Sequence, residues 1–131
     1  MRKFIVDGVG LPKWSTPISH AVVVDRTCYL SGQLSIDETG VYVPGTTIEE
    51  ARRAFGNLFA ALGAADFSLT DLVFVDIAFI DLADSPEVNQ LYAELFEEGT
   101  RPARTIYQAA ALPFGGRIKV AGVAVKESAE G

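Results

Sequence analysis

The spacing of apolar positions changes several times along the chain, and each change marks an element. Residues 3–6 form a short β candidate. Residues 7–17 follow as an irregular loop punctuated by Gly8, Gly10, Pro12 and Pro17. Residues 20–24 and 27–31 are β-branched, apolar runs separated by Asp25-Arg26, the spacing of a tight hairpin. Residues 35–45 are turn-rich around Asp37-Glu38-Thr39-Gly40. Thr47-Ile48-Glu49-Glu50 reads as a capping box, with Thr47 capping and Glu50 reaching back. Ile48, Ala51, Phe55, Leu58, Phe59 and Leu62 then recur at helical spacing.

Residues 72–80 are apolar except for Asp76, which predicts a central strand buried on both faces. Ser85-Pro86-Glu87 opens a second helix, with Ser85 as cap and Pro86 at the first helical position. Val88, Leu91, Tyr92, Leu95 and Phe96 form its buried face, and Gly99 ends it. Strands at 104–109 and 118–125 complete the order β-β-β-α-β-α-β-β. Two helices cover one face of such a sheet, so the expected fold is a two-layer α+β sandwich with a mixed six-stranded sheet. The other face, if apolar, needs a second subunit, and a homo-oligomer is expected.

Composition narrows the function. The 131 residues suit one domain, 1–131, and 49% are hydrophobic, enough for a real core. No apolar run approaches a membrane span, so no membrane role is expected. Met1-Arg2-Lys3 leads straight into Phe4-Ile5-Val6, without the apolar segment of a leader, and Cys28 is the single cysteine. A reducing cytoplasm is the expected compartment. One histidine and one cysteine make a metal site unexpected, and no cofactor motif is present. The net charge of −6 lacks the basic field that nucleic-acid binding uses, so no nucleic-acid partner is expected.

One segment draws attention on physical grounds. Thr100-Arg101-Pro102-Ala103-Arg104-Thr105 runs from a helix end, through a proline, into a strand. Arg104 at that strand mouth is placed to meet a carboxylate with its planar fork. The same arginine also suits a salt bridge with one of the 17 acidic side chains. His20 could be recruited to a catalytic triad, but a satisfied structural histidine needs no further assumption.

Tyr29-Leu30-Ser31-Gly32-Gln33, Asn89-Gln90-Leu91-Tyr92, and Pro102-Ala103-Arg104-Thr105 followed by Ala111-Leu112-Pro113 together resemble the RidA (YjgF) family, in order and spacing, from about residue 19 to 125. The resemblance implies a chorismate-mutase-like fold and a homotrimer with clefts between subunits. It also implies hydrolysis of reactive 2-imino or enamino acids to the keto acid and ammonia. By the same resemblance Arg104 grips the substrate carboxylate, and Ser31, Gly32 and Asn89 lie near the ligand. Ile106 offers its backbone N–H where many relatives have cysteine.

Three departures from the family pattern stand out. The last strand reads Ile118-Lys119-Val120-Ala121, where the family's imine hydrolases carry a water-positioning glutamate; Ile18 replaces an aromatic, and His20 replaces a glutamine. Lys119 with Arg104 would make a doubly cationic cleft suited to a dicarboxylate. Lys119 equally suits a surface lysine on an edge strand. Two functions are therefore carried forward: imine or enamine hydrolysis, and non-catalytic binding of a small anionic metabolite such as a keto acid.

Overall fold

The structure, a computed structural model, describes residues 2–127. Its strands are β1 (Arg2–Ile5), β2 (Ala21–Val24), β3 (Thr27–Gln33), β4 (Leu72–Phe79), β5 (Ala103–Gln108) and β6 (Ile118–Val125), with helices α1 (Thr47–Ala64) and α2 (Ser85–Leu95). One mixed sheet runs in the order β1-β2-β3-β6-β4-β5. β6, last in sequence, inserts between β3 and β4 and runs antiparallel to both, while β5 lies parallel to β4 at the edge. The predicted α+β sheet with two helices is the observed one.

Strand pairing sorts every side chain to one of two faces, because paired residues share a face and neighbours along a strand alternate. Ala21, Leu30, Gly122, Val75 and Arg104 form one continuous row. Its members from Ala21 to Val75 are buried beneath the helices. Phe55, Leu58 and Leu62 of α1 and Val88, Leu91 and Tyr92 of α2 belong to the same core. The opposite face has no helix over it. Phe4, Val22, Tyr29, Val123 and Phe74 make an apolar row across five strands there, with Phe4 60% and Tyr29 54% exposed. β4 is therefore buried on its helix side but not on both faces as its composition predicts, and Phe74 and Asp76 remain half-exposed.

The helix starts differ from the sequence reading by one residue each. Thr46, not Thr47, caps α1: its hydroxyl accepts from the Glu49 N–H at 3.3 Å, and the Glu49 carboxylate accepts from the Thr46 N–H at 2.9 Å. The repeat Thr46-Thr47-Ile48-Glu49-Glu50 contains two overlapping capping frames, and the earlier one forms. Thr47 instead donates to the Asp84 carboxylate at 2.6 Å, tying the two helix starts together. Ser85 is the first residue of α2 rather than its cap. α2 ends at Leu95, before the expected Gly99. Phe96 leaves the helix to pack with Phe55, Phe59 and Tyr92, and the Arg101 guanidinium donates to the freed carbonyls of Phe96 and Ala93.

The frame shift at α1 turns Glu50 inward. It is fully buried, and its carboxylate accepts from the Tyr42 hydroxyl at 2.7 Å, the Arg117 N–H at 3.0 Å and the Gly45 N–H at 3.3 Å. Burial and this bond push the Tyr42 phenol up to about 12. One side chain thus fastens the turn-rich segment and the entry to β6 onto α1. Glu50→Ala should cost about 3–5 kcal/mol, the scale for removing one partner from a buried charged network. Glu50→Gln should recover part of it, because the amide oxygen still accepts; urea unfolding of both variants measures the difference.

Candidate functional site

Arg104 sits at the start of β5, where the row Ala21–Val75 reaches the sheet edge. The residue before it in the parallel ladder, Ala103, follows Pro102, which is buried and accepts from the Tyr92 hydroxyl at 3.4 Å. The proline restricts the chain between α2 and β5 and so fixes where the strand begins. The Arg104 guanidinium lies over the Tyr92 ring, 4.8 Å from its centroid. The ring face attracts the cation. Burial raises the Tyr92 phenol above its ordinary value, and the nearby Arg104 and Arg101 charges oppose that rise.

Among the described residues no carboxylate lies within 4.0 Å of Arg104. The salt-bridge reading of this arginine therefore has no partner among the described residues. Asn89, Tyr92, Ala93, Arg101, Pro102 and Arg104 line an open cavity of about 420 Å³. Arg101 donates to the carbonyls of Phe96 and Ala93, and Arg104 lines the opening beside it. Ile106 follows two residues on and shares the Arg104 face, 37% exposed on an edge strand. Sequence reasoning placed Tyr92 only in the core; its second role as a shelf for Arg104 depends on where β5 starts.

The other candidates gather elsewhere. Ser31 and Gly32 occupy an irregularity in the pairing of β3 with β6, and the Ser31 hydroxyl donates to the Ser19 carbonyl at 2.6 Å. The stem of Lys119 packs on Gly32 so closely that a Cβ there would stand 2.8 Å from the lysine Cδ. Lys119 pairs with Ala78 and Arg104 with Val75, which puts them three rows apart and on opposite faces. A single chain therefore does not bring the two cations together. The structure joins Arg104 with Asn89, and Lys119 with Gly32.

Neither His20 nor Tyr107 lines the Arg104 cavity. His20 is fully buried between β2 and the N-terminal loop and stacks on Trp14 at 3.8 Å. The Gln33 amide donates to its Nδ1 at 3.0 Å, so Nε2 carries the proton and donates to the Pro12 carbonyl at 2.9 Å. Both ring nitrogens are occupied, and burial lowers its pKa. Tyr107 faces the side away from Arg104.

These features define a small α+β domain whose one-sided sheet presents at its edge an arginine with no acidic partner among the described residues. Residues 11–126 match the family described as "Endoribonuclease L-PSP". The chain is 41% identical to the goat (Capra hircus) protein named 2-iminobutanoate/2-iminopropanoate deaminase, covering 93% of this chain and 89% of that one. A putative endoribonuclease of Thermotoga maritima, 39% identical, superposes with a TM-score of 0.89 over 96% of this chain and 99% of its own. Escherichia coli TdcF, in a structure with bound serine, is 27% identical with a TM-score of 0.87, over 95% of this chain and 100% of its own. The chain belongs to the endoribonuclease L-PSP family, the family of RidA and YjgF.

The His20 arrangement has a pH signature. Its folded pKa is held below the ordinary 6.5, so the unfolded chain takes up a proton first as pH falls. Stability should therefore decline as pH drops below about 6.5, and this contribution levels off only below the folded pKa. Urea unfolding at pH 7, 6 and 5 should show this decline in wild type and a smaller one in His20→Gln.

Proposed function

We propose that the protein hydrolyses reactive 2-imino or enamino acids to the 2-keto acid and ammonia. The observation that carries this reading is Arg104, a half-buried guanidinium held against Tyr92 with no acidic partner among the described residues. Relatives named 2-iminobutanoate/2-iminopropanoate deaminase, at 41% identity, support the choice of reaction. A small amino acid bound to TdcF supports the ligand size.

The reaction R–C(=NH)–COO⁻ + H₂O → R–CO–COO⁻ + NH₃ needs little covalent help, since the imine carbon is already electrophilic. Arg104 holds the carboxylate through two charge-assisted hydrogen bonds and so fixes the C=N carbon. Asn89, on the same cavity wall, orients the attacking water with its amide. The carbinolamine then collapses and ammonia leaves. Holding the reactants in line accounts for much of the rate. The family name refers to RNA cleavage, but a net charge of −6 gives no field to hold phosphates.

The working form is a homotrimer with clefts between subunits, three being the number the family resemblance implies. The apolar row from Phe4 to Phe74 supports association, because exposed apolar faces of this extent are rare on monomers. We place the protein in the cytoplasm, where a buried thiol such as Cys28, pushed up to about 11, stays reduced and unreactive. Sedimentation at micromolar concentration should give three chains per particle; a monomer would refute the assembly.

A second reading, binding of keto acids without turnover, draws on Lys119 and Ala121 standing where imine hydrolases have acidic side chains. The two readings part in one assay, ammonia release from freshly generated 2-iminobutanoate. Release above the spontaneous rate supports hydrolysis. Arg104→Ala should then lower kcat/KM by about 2–5 kcal/mol in transition-state energy, the range for truncating one partner of a buried charge pair. Arg104→Lys should recover only part, because a point charge lacks the planar fork. Keto-acid binding without ammonia release would favour the second reading.

A further inference from the structure

The uncovered face carries a second cationic feature that the Arg104 cavity does not use. Lys119, Ala78 and Tyr107 lie side by side across β6, β4 and β5, and the Lys119 stem reaches over Gly32 of β3. Ala78 is only 1% exposed although no helix covers this face. Its row neighbours are Lys119 and Tyr107, and the Lys119 stem leans away from it over Gly32 of β3. Lys119 is half-buried, and its stem rests on the floor that Gly32 leaves open. Among the described residues its ammonium has no carboxylate within 4.0 Å and the Tyr107 hydroxyl has no hydrogen-bond partner within the chain. The nearest acidic position on this face by register, Asp76, already accepts from the Thr105 hydroxyl.

A half-buried lysine with no acidic partner among the described residues, its stem laid over a glycine, has the chemistry of a carboxylate site. We propose that Lys119 binds a second carboxylate, so that the preferred ligand is a dicarboxylate: a 2-imino acid whose side chain itself ends in a carboxylate. This deepens the hydrolase reading and rests on Arg104 as the first anchor. Because Arg104 and Lys119 face opposite sides of one sheet, one ligand meets both only where the β5 edge of one copy meets the uncovered face of another. Each site is then incomplete without a second copy, and the chain's own strand parity dictates that division.

The test is titration calorimetry on the intact oligomer, using the stable keto acids 2-oxoglutarate and oxaloacetate against 2-oxobutanoate. Wild type should bind at least one dicarboxylate about tenfold or more tighter than the monocarboxylate, as expected for an added charge-assisted contact. Lys119→Gln should bring that ratio to about one, and Lys119→Arg should largely keep it. Equal affinities in wild type, or a ratio that Lys119→Gln leaves unchanged, would overturn the proposal. Arg104→Ala reads the first anchor separately: it should weaken both ligand classes. If 2-oxobutanoate binding survives it, the Arg104 reading fails, while the Lys119 ratio still reports on the second carboxylate.

Discussion

The arrangement of this protein follows from covering six strands with only two helices. Both helices lie on one face, so strand alternation becomes a division of labour. Residues facing the helices build the core, and the apolar row on the other face is left to solvent or to another copy. The same parity sends Arg104 to the helix side and Lys119 to the open side. The candidate chemistry is thus divided by the fold before any ligand is considered.

The helix layer is held in register by polar groups placed inside it. Glu50 collects hydrogen bonds from Tyr42, Gly45 and Arg117, and Asn57 donates to the carbonyls of Leu34 and Ile36 at 3.0 and 2.9 Å. Each side chain satisfies backbone groups that the loop leaving β3 would otherwise bury unpaired. His20 does the same for the N-terminal loop through Pro12 and Gln33. The apolar core supplies the cohesion, and these three residues decide which loop lies where.

Much of this was readable from the residues alone. The hairpin at Asp25-Arg26 forms with Val24 opposite Thr27, and the last strand spans Ile118–Val125 as its alternation suggests. What periodicity could not supply was phase and partner. Thr46-Thr47 with Glu49-Glu50 offers two equivalent capping frames, and the choice depends on burying Glu50 against Arg117, which is 67 residues away. The apolar composition of β4 resembles a strand buried twice, because a face awaiting a second subunit has the same residues as one under a helix. The motif around Arg104 was legible, as was its strand. That Lys119 lies on the other face follows from β6 inserting between β3 and β4, a pairing of distant segments that no local pattern encodes.

The contact between Gly32 and Lys119 has a consequence for how this site can change by single substitutions. A methyl group at position 32 would press on the lysine stem at 2.8 Å, so the lysine must first move or shorten. With a short residue at 119, these contacts are gone. The order of substitution therefore matters: a lineage that replaces Lys119 first can afterwards fill position 32, whereas the reverse path passes through a crowded intermediate. The two positions are therefore coupled on this face, through the missing side chain of one glycine.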